Sequence, residues 1–206
     1  MPPAPVPVPA PIKVPQVFAQ ALELHKQGRL AEAEQLYSEV LAHRPDHFDA
    51  LQMLSVIKLA KGQPAEALRL ISEAMRMRRP SPQILVNHGM ILHALDRSEE
   101  ALACFDAALK QKSKFAEAHN NRGAVLAALG RHEEAVACFH KALALKTDYA
   151  DAHYNLGSSL RVLGRYDEAL VSLDRALLLL AEGALVLDGK GPLALRGLDH
   201  LARKPP

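Results

Sequence analysis

The sequence predicts an all-α fold, a solenoid of about five helix-turn-helix units of 34 residues each. Asn87, Asn121 and Asn155 stand 34 residues apart, each two residues before a glycine. Five segments, 14–47, 48–81, 82–115, 116–149 and 150–183, align without insertion or deletion, and the twentieth place of each is alanine: Ala33, Ala67, Ala101, Ala135 and Ala169. A fixed period of this length, punctuated this way, marks stacked helix pairs that cannot bury their apolar faces singly.

The elements follow in chain order. Residues 1–13 carry proline at nearly every second position. Proline fixes φ and donates no amide hydrogen bond, so this stretch reads as an extended, disordered arm. In the units that follow, the eighth place holds small residues: Ala21, Ser55, Gly89, Gly123 and Gly157. The twenty-fourth holds bulky apolar ones: Tyr37, Ile71, Phe105, Phe139 and Leu173. Two helices approach closely only where small residues meet, and the bulky residue fills the space beside them. Gly28, Gly62, Gly130 and Gly164, with Asp96 in the third unit, lie between the two helices of each pair. There the chain must leave the first helix through a left-handed residue. Pro45 stops the second helix of the first unit.

Lys58 breaks a row in which the other units have Leu24, Leu92, Leu126 and Leu160. Its aliphatic stem is expected along the packing surface, with the ammonium in water. The period ends near Leu180, because a sixth unit would put Pro192 inside a helix, at a cost of about 3 kcal/mol. Residues 184–206 read as a short capping helix, starting at Pro192, or as a disordered tail.

Resemblance sharpens the picture. Gly123 to Leu143, GAVLAALGRHEEAVACFHKAL, carries the small, small, aromatic, small signature of the tetratricopeptide repeat family, and that signature recurs over roughly 14–180. The chain therefore resembles a tetratricopeptide array, which implies a right-handed α-α superhelix with first helices lining a concave groove.

Composition narrows the chemistry. The net charge of +2 gives no basic face for nucleic acid, and aromatic residues for base stacking are sparse. No apolar run approaches the ~20 residues that span a bilayer, and a cytoplasmic protein without membrane insertion is expected. No phosphate loop, GxGxxG, HExxH or CxxC motif is present. The expectation is of no enzyme, no cofactor and no metal. His119 and His153 occupy equivalent places in adjacent units and read as packing residues rather than metal ligands. His132-Glu133-Glu134 reads as a solvated helix start, its carboxylates favourable to the dipole. Cys104 and Cys138 read as small buried hydrophobes.

The resemblance assigns places in each unit to the groove. The sixth gives Asn87, Asn121 and Asn155, similar to the asparagine ladder of O-GlcNAc transferase repeats, where the amides hold a peptide backbone. A primary amide can both donate to and accept from that backbone. Val86, Asn120 and Tyr154 at the fifth place, Met90 at the ninth, and His93 and Arg161 at the twelfth would add selectivity. Asp49, Glu117 and Asp151 at the second place oppose a clamp for a terminal carboxylate. The function expected is a non-catalytic adaptor binding an extended segment of a partner protein. The alternatives are a substrate-recruiting fragment or companion of an O-GlcNAc-type glycosyltransferase, and a scaffold that assembles with its own copies.

Overall fold

The structure is a computed structural model that describes residues 13–187. The described residues form ten α-helices and no strand: α1 (Val14–Lys26), α2 (Leu30–His43), α3 (Phe48–Ala60), α4 (Pro64–Met77), α5 (Pro82–His93), α6 (Ser98–Gln111), α7 (Ala116–Ala128), α8 (His132–Leu145), α9 (Ala150–Val162) and α10 (Tyr166–Leu187). Each odd-numbered helix pairs with the next, and first helices begin 34 residues apart. The chain falls into two compact units, Met1–Gln111 and Lys112–Pro206. Within the first, α2 packs on α3 and α4 on α5; within the second, α8 packs on α9.

The close approach within each pair is built by the small eighth place. A Cβ on Gly123 would lie 2.6 Å from Phe139 Cε1, one on Gly89 would lie 2.7 Å from Phe105 Cε1, and one on Gly157 would lie 2.7 Å from Leu173 Cγ. Phe105 and Phe139 are fully buried, as are Ala108 and Ala142 at the twenty-seventh place of the same two units. Burial of one such aromatic ring is worth about 1.5–3 kcal/mol, and the glycine makes it available.

One turn recurs between the two helices of every pair. Gly28, Gly62, Gly130 and Gly164 have φ between 70° and 76°, and Asp96 has φ 60°. The next residue then donates its amide back to the first helix: Arg29 to Leu24, Gln63 to Lys58, Arg97 to Leu92, Arg131 to Leu126 and Arg165 to Leu160, at 2.9–3.0 Å. These bonds satisfy carbonyls that would otherwise be orphaned at the helix end. Aspartate takes the left-handed position in the turn after α5 because its short polar side chain tolerates it better than most.

A second recurring device lies outside the sequence-based expectations. Arg29, Arg97, Arg131 and Arg165 precede the second helices and grip Glu32, Glu100, Glu134 and Glu168 three residues on, through paired N–H···O contacts of 2.5–2.8 Å. The carboxylate in the first turn favours the helix dipole. Its signal, Arg-x-x-Glu at the same 34-residue spacing, is plain once sought.

One expectation is corrected. The Lys58 ammonium is not in water: it lies 2.8 Å from Glu34 Oε1, and both side chains are mostly buried. Glu34 sits at the twenty-first place, where the other units carry Leu68, Leu102, Val136 and Leu170. Both rows are apolar in the other units and ionic here, and Lys61 also reaches Glu34. The hydrogen bond to Lys58 holds the Glu34 carboxyl below its ordinary range, and the same bond raises Lys58. The last helix also runs past the end of the period. α10 continues to Leu187, 22 residues against 14 in α2, α4, α6 and α8. No proline stands in its way, and a lone glycine, Gly183, costs a helix only about 1 kcal/mol. The proline-rich arm, apart from Lys13, and the cap expected from Pro192 lie outside the described residues.

Replacing Gly123 with alanine should cost about 1–3 kcal/mol, because the methyl meets a ring held on all sides. Urea unfolding against the parent chain measures it, and a change under about 0.5 kcal/mol would contradict the close-approach argument. Lys58→Ala should cost about 1–2 kcal/mol by leaving Glu34 half-buried without its main partner. The double change Lys58→Leu with Glu34→Leu should instead be neutral or stabilising.

Candidate functional site

The first helix of each pair carries the residues singled out for recognition, and each unit is taken separately. On α5 of the first unit, Asn87 is half-buried and its Oδ1 accepts from Gln83 Nε2 at 3.3 Å. Met90 is exposed, and His93 is half-buried with Nδ1 3.5 Å from Ser98 Oγ. Val86 is 1 % exposed. A side chain that deep cannot offer selectivity to a ligand, so the expectation for Val86 is corrected.

In the second unit the same fifth place behaves alike. Asn120 is 4 % exposed and buried in packing rather than open to a ligand. Its Nδ2 donates to the Tyr149 hydroxyl at 3.5 Å, and its Oδ1 accepts from Asn155 Nδ2 at 3.1 Å. A buried amide needs partners of this kind. Asn120 therefore joins α7 to α9 and leaves the binding set for a structural role. Tyr149 belongs to this network too, and burial raises its phenol above the ordinary value.

Asn155 keeps one foot in each role. It gives one N–H to Asn120 and also lines a cleft of about 230 Å³. Ala124 and Ala127 of α7 form one wall, with His132 and Phe139 of α8 at the back. Tyr154, Asn155, Ser158, Ser159, Arg161 and Val162 of α9 form the other wall. Tyr154 is 59 % exposed, and Arg161 and Val162 are exposed with it. The cleft so combines apolar walls, an amide carbonyl, a hydroxyl, a phenol and a guanidinium. Asn121 is half-buried on α7 and does not line this cleft. A second hollow, between α8, α9 and α10, is lined by His140, Leu156, Leu160, Asp167, Glu168, Val171 and Ser172, and contains none of the residues singled out for recognition.

His132 joins the site against expectation. It is half-buried rather than solvated, and its Nδ1 is buried with no hydrogen-bond partner. Its place at the start of α8 hides this, because a helix start usually faces water. Ser158 stands at a groove place in the repeat alignment. Its closeness to Arg161 on the next turn of α9 is the signal that could have found it.

Two further histidines bond to loop carbonyls. His119 Nε2 lies 3.0 Å from the Ser113 carbonyl and His153 Nε2 lies 2.9 Å from that of Thr147. Each ring donates that proton to the loop entering its own helix. No group of three or more metal-ligating side chains occurs among the described residues. Both cysteines are free: Cys138 is buried, and burial raises the half-buried Cys104 thiol above its ordinary value. Arg122 Nη1 lies 3.1 Å from Cys138 Sγ.

Models of the tetratricopeptide repeat match residues 24–85, 89–130, 125–161 and 150–180. The chain belongs to the tetratricopeptide repeat family. Among solved structures, it is similar to TTC0263, a thermophilic TPR protein in Thermus thermophilus. Identity is 25 % and the TM-score 0.71, over 80 % of this chain and 90 % of that one. It is similar also to YrrB, a TPR protein with an unusual peptide-binding site, with 24 % identity and a TM-score of 0.59 over 84 % and 90 %. A third likeness is to the APC/C hetero-tetramer Cut9-Hcn1, with 20 % identity and a TM-score of 0.75, over 86 % of this chain and 35 % of that one. No curated protein matches the chain in sequence. No helix among the described residues is long and apolar enough to cross a membrane.

Burial lowers the pKa of His25, His88 and His119 below the ordinary value of 6.5. Their contribution to stability is complete above that value and is lost as pH falls through it towards the lowered ones. The urea midpoint of this tetratricopeptide protein should therefore drop between about pH 7.5 and 5.5. His88→Gln should lessen the drop, and an unchanged pH dependence would remove His88 from the account.

Proposed function

We propose that this tetratricopeptide protein is a non-catalytic adaptor that binds an extended segment of a partner protein along its first helices. Tetratricopeptide proteins generally serve as interaction scaffolds, and the resemblance to YrrB makes a peptide the first ligand class to test. The observation that carries the reading is the cleft of the second unit, where Tyr154, Asn155, Ser158 and Arg161 meet between α7 and α9.

Chemistry assigns the roles. Asn155, with its carbonyl and second N–H left over, pairs with the backbone of the bound segment. Ala124, Ala127 and Val162 receive an apolar side chain, and Tyr154 covers it. Arg161 fixes orientation by holding a carbonyl or carboxylate of the ligand. Asn121 extends backbone recognition along α7. Asn87, with Met90 and His93 beside it, offers the same chemistry on α5 of the first unit. Hydrogen bonds at ~0.5–1.5 kcal/mol each cannot alone reach the ~8 kcal/mol of micromolar affinity. Apolar contact in the cleft must supply much of the remainder.

Affinity capture of partners with the parent chain and with Tyr154→Ala or Arg161→Ala, in parallel, tests the reading. Both side chains are exposed, so circular dichroism should be unchanged while binding of the captured partner weakens about tenfold or more. The triple change of Asn87, Asn121 and Asn155 to alanine should weaken it further, with some loss of stability from the bond to Asn120. Undiminished binding by folded Tyr154→Ala and Arg161→Ala proteins would refute the cleft as the recognition site.

A further inference from the structure

Charge on the first helices of the second unit lies at opposite ends. Glu117 and Asp151 stand in the first turns of α7 and α9, and they add to burial in pushing the Tyr149 phenol up. Arg161 stands in the last turn of α9, ten residues after Asp151 and about 15 Å from it along the axis. The cleft between α7 and α9 takes in Arg161, and none of the residues lining it is aspartate or glutamate.

The other arginines of this unit are engaged. Arg131 holds Glu134, Arg165 holds Glu168, Arg175 holds Asp148, and Arg122 lies against Cys138. Arg161 has no hydrogen bond and no ion pair among the described residues. The dipole of α9 favours a cation in its last turn, but it leaves the planar fork of N–H donors without an acceptor. A guanidinium of this kind, in a cleft that holds no negative charge of its own, is complementary to an anion on the ligand.

We propose that the cleft selects segments in which an aspartate or glutamate side chain stands within about three residues of an apolar one. This rests on the peptide reading and specifies which peptide. Asn155 and Arg161 are six residues apart on α9, about 9 Å, which an extended chain covers in about three residues. The apolar side chain enters between Ala124, Ala127 and Val162, and the carboxylate accepts two N–H bonds from the Arg161 fork. Ser158, one turn before Arg161, offers its hydroxyl to the same carboxylate. Asn121 and Asn155 pair with backbone, which calls for an internal stretch of chain, so the charge is a side chain and not a terminus. Glu117 and Asp151 repel an acidic residue at the other end of the helices, and that fixes its place beside Arg161.

The test is selection of random displayed peptides on the full chain, each fused ahead of a linker so that none has a free C-terminus. Selected peptides should share an acidic residue near an apolar one, and Tyr154→Ala should abolish their binding. Replacing that acidic residue by its amide in a synthetic peptide should weaken binding about fivefold. Against Arg161→Ala the acidic and amide peptides should bind within about twofold of each other. Arg161→Glu should prefer the peptide with lysine at that position. Peptides that need Tyr154 but show no acidic preference, or keep it in Arg161→Ala, overturn this inference and leave the adaptor reading standing. Binders obtained only from a library with free C-termini assign the charge to a chain end and overturn it as well. Peptides indifferent to Tyr154, or no binders from either library, overturn both.

Discussion

The close approach of two helices at one small residue governs everything else in this protein. Gly89, Gly123 and Gly157 admit a bulky side chain from the second helix to within a distance that a methyl group would forbid. That contact sets the spacing of each pair, and the spacing fixes which places of the first helix remain available to a neighbouring pair or to solvent. The left-handed residue between the helices then returns the chain at the correct angle, with its neighbour's amide closing the first helix. Each feature of the site on α9 is downstream of these two local demands.

Polar groups enter the packing only with partners. Lys58 and Glu34 form an ion pair between α3 and α2, and Asn120 joins Asn155 to Tyr149. These pairings have a shared logic: a buried charge or amide is tolerated where a second one answers it. They also divide the asparagines by role. Identical residues at the sixth place have different surroundings, since Asn87 is bonded to Gln83, Asn155 to Asn120, and Asn121 belongs to neither network.

Most of the fold is legible in the sequence because a strict period converts weak local signals into one alignment. Small eighth places, bulky twenty-fourth places and turn glycines have physical reasons that the structure bears out. Legibility fails where residues depart from their row. Lys58 taken alone looks solvated, although Glu34 departs from its own row in the adjacent helix and supplies the explanation. The period closes α10 early, although no proline follows it until Pro192. The site is less legible still. Place in the repeat gives a direction, but burial depends on the neighbouring pair, so Val86 and Asn120 at one place are covered and Tyr154 is open. His132 gives no sequence sign that one ring nitrogen is buried without a partner.

The cleft draws its walls from two successive pairs, α7 with α8 on one side and α9 on the other. Repeat arrays open locally, pair by pair, by breaking the interfaces between neighbouring pairs. An occupant that touches both walls must be released before α9 can part from α7 and α8. Its binding energy is therefore added to the cost of that opening, and amide exchange in α9 becomes a gauge of occupancy. In such an array, whatever fills the cleft also ties one pair to the next.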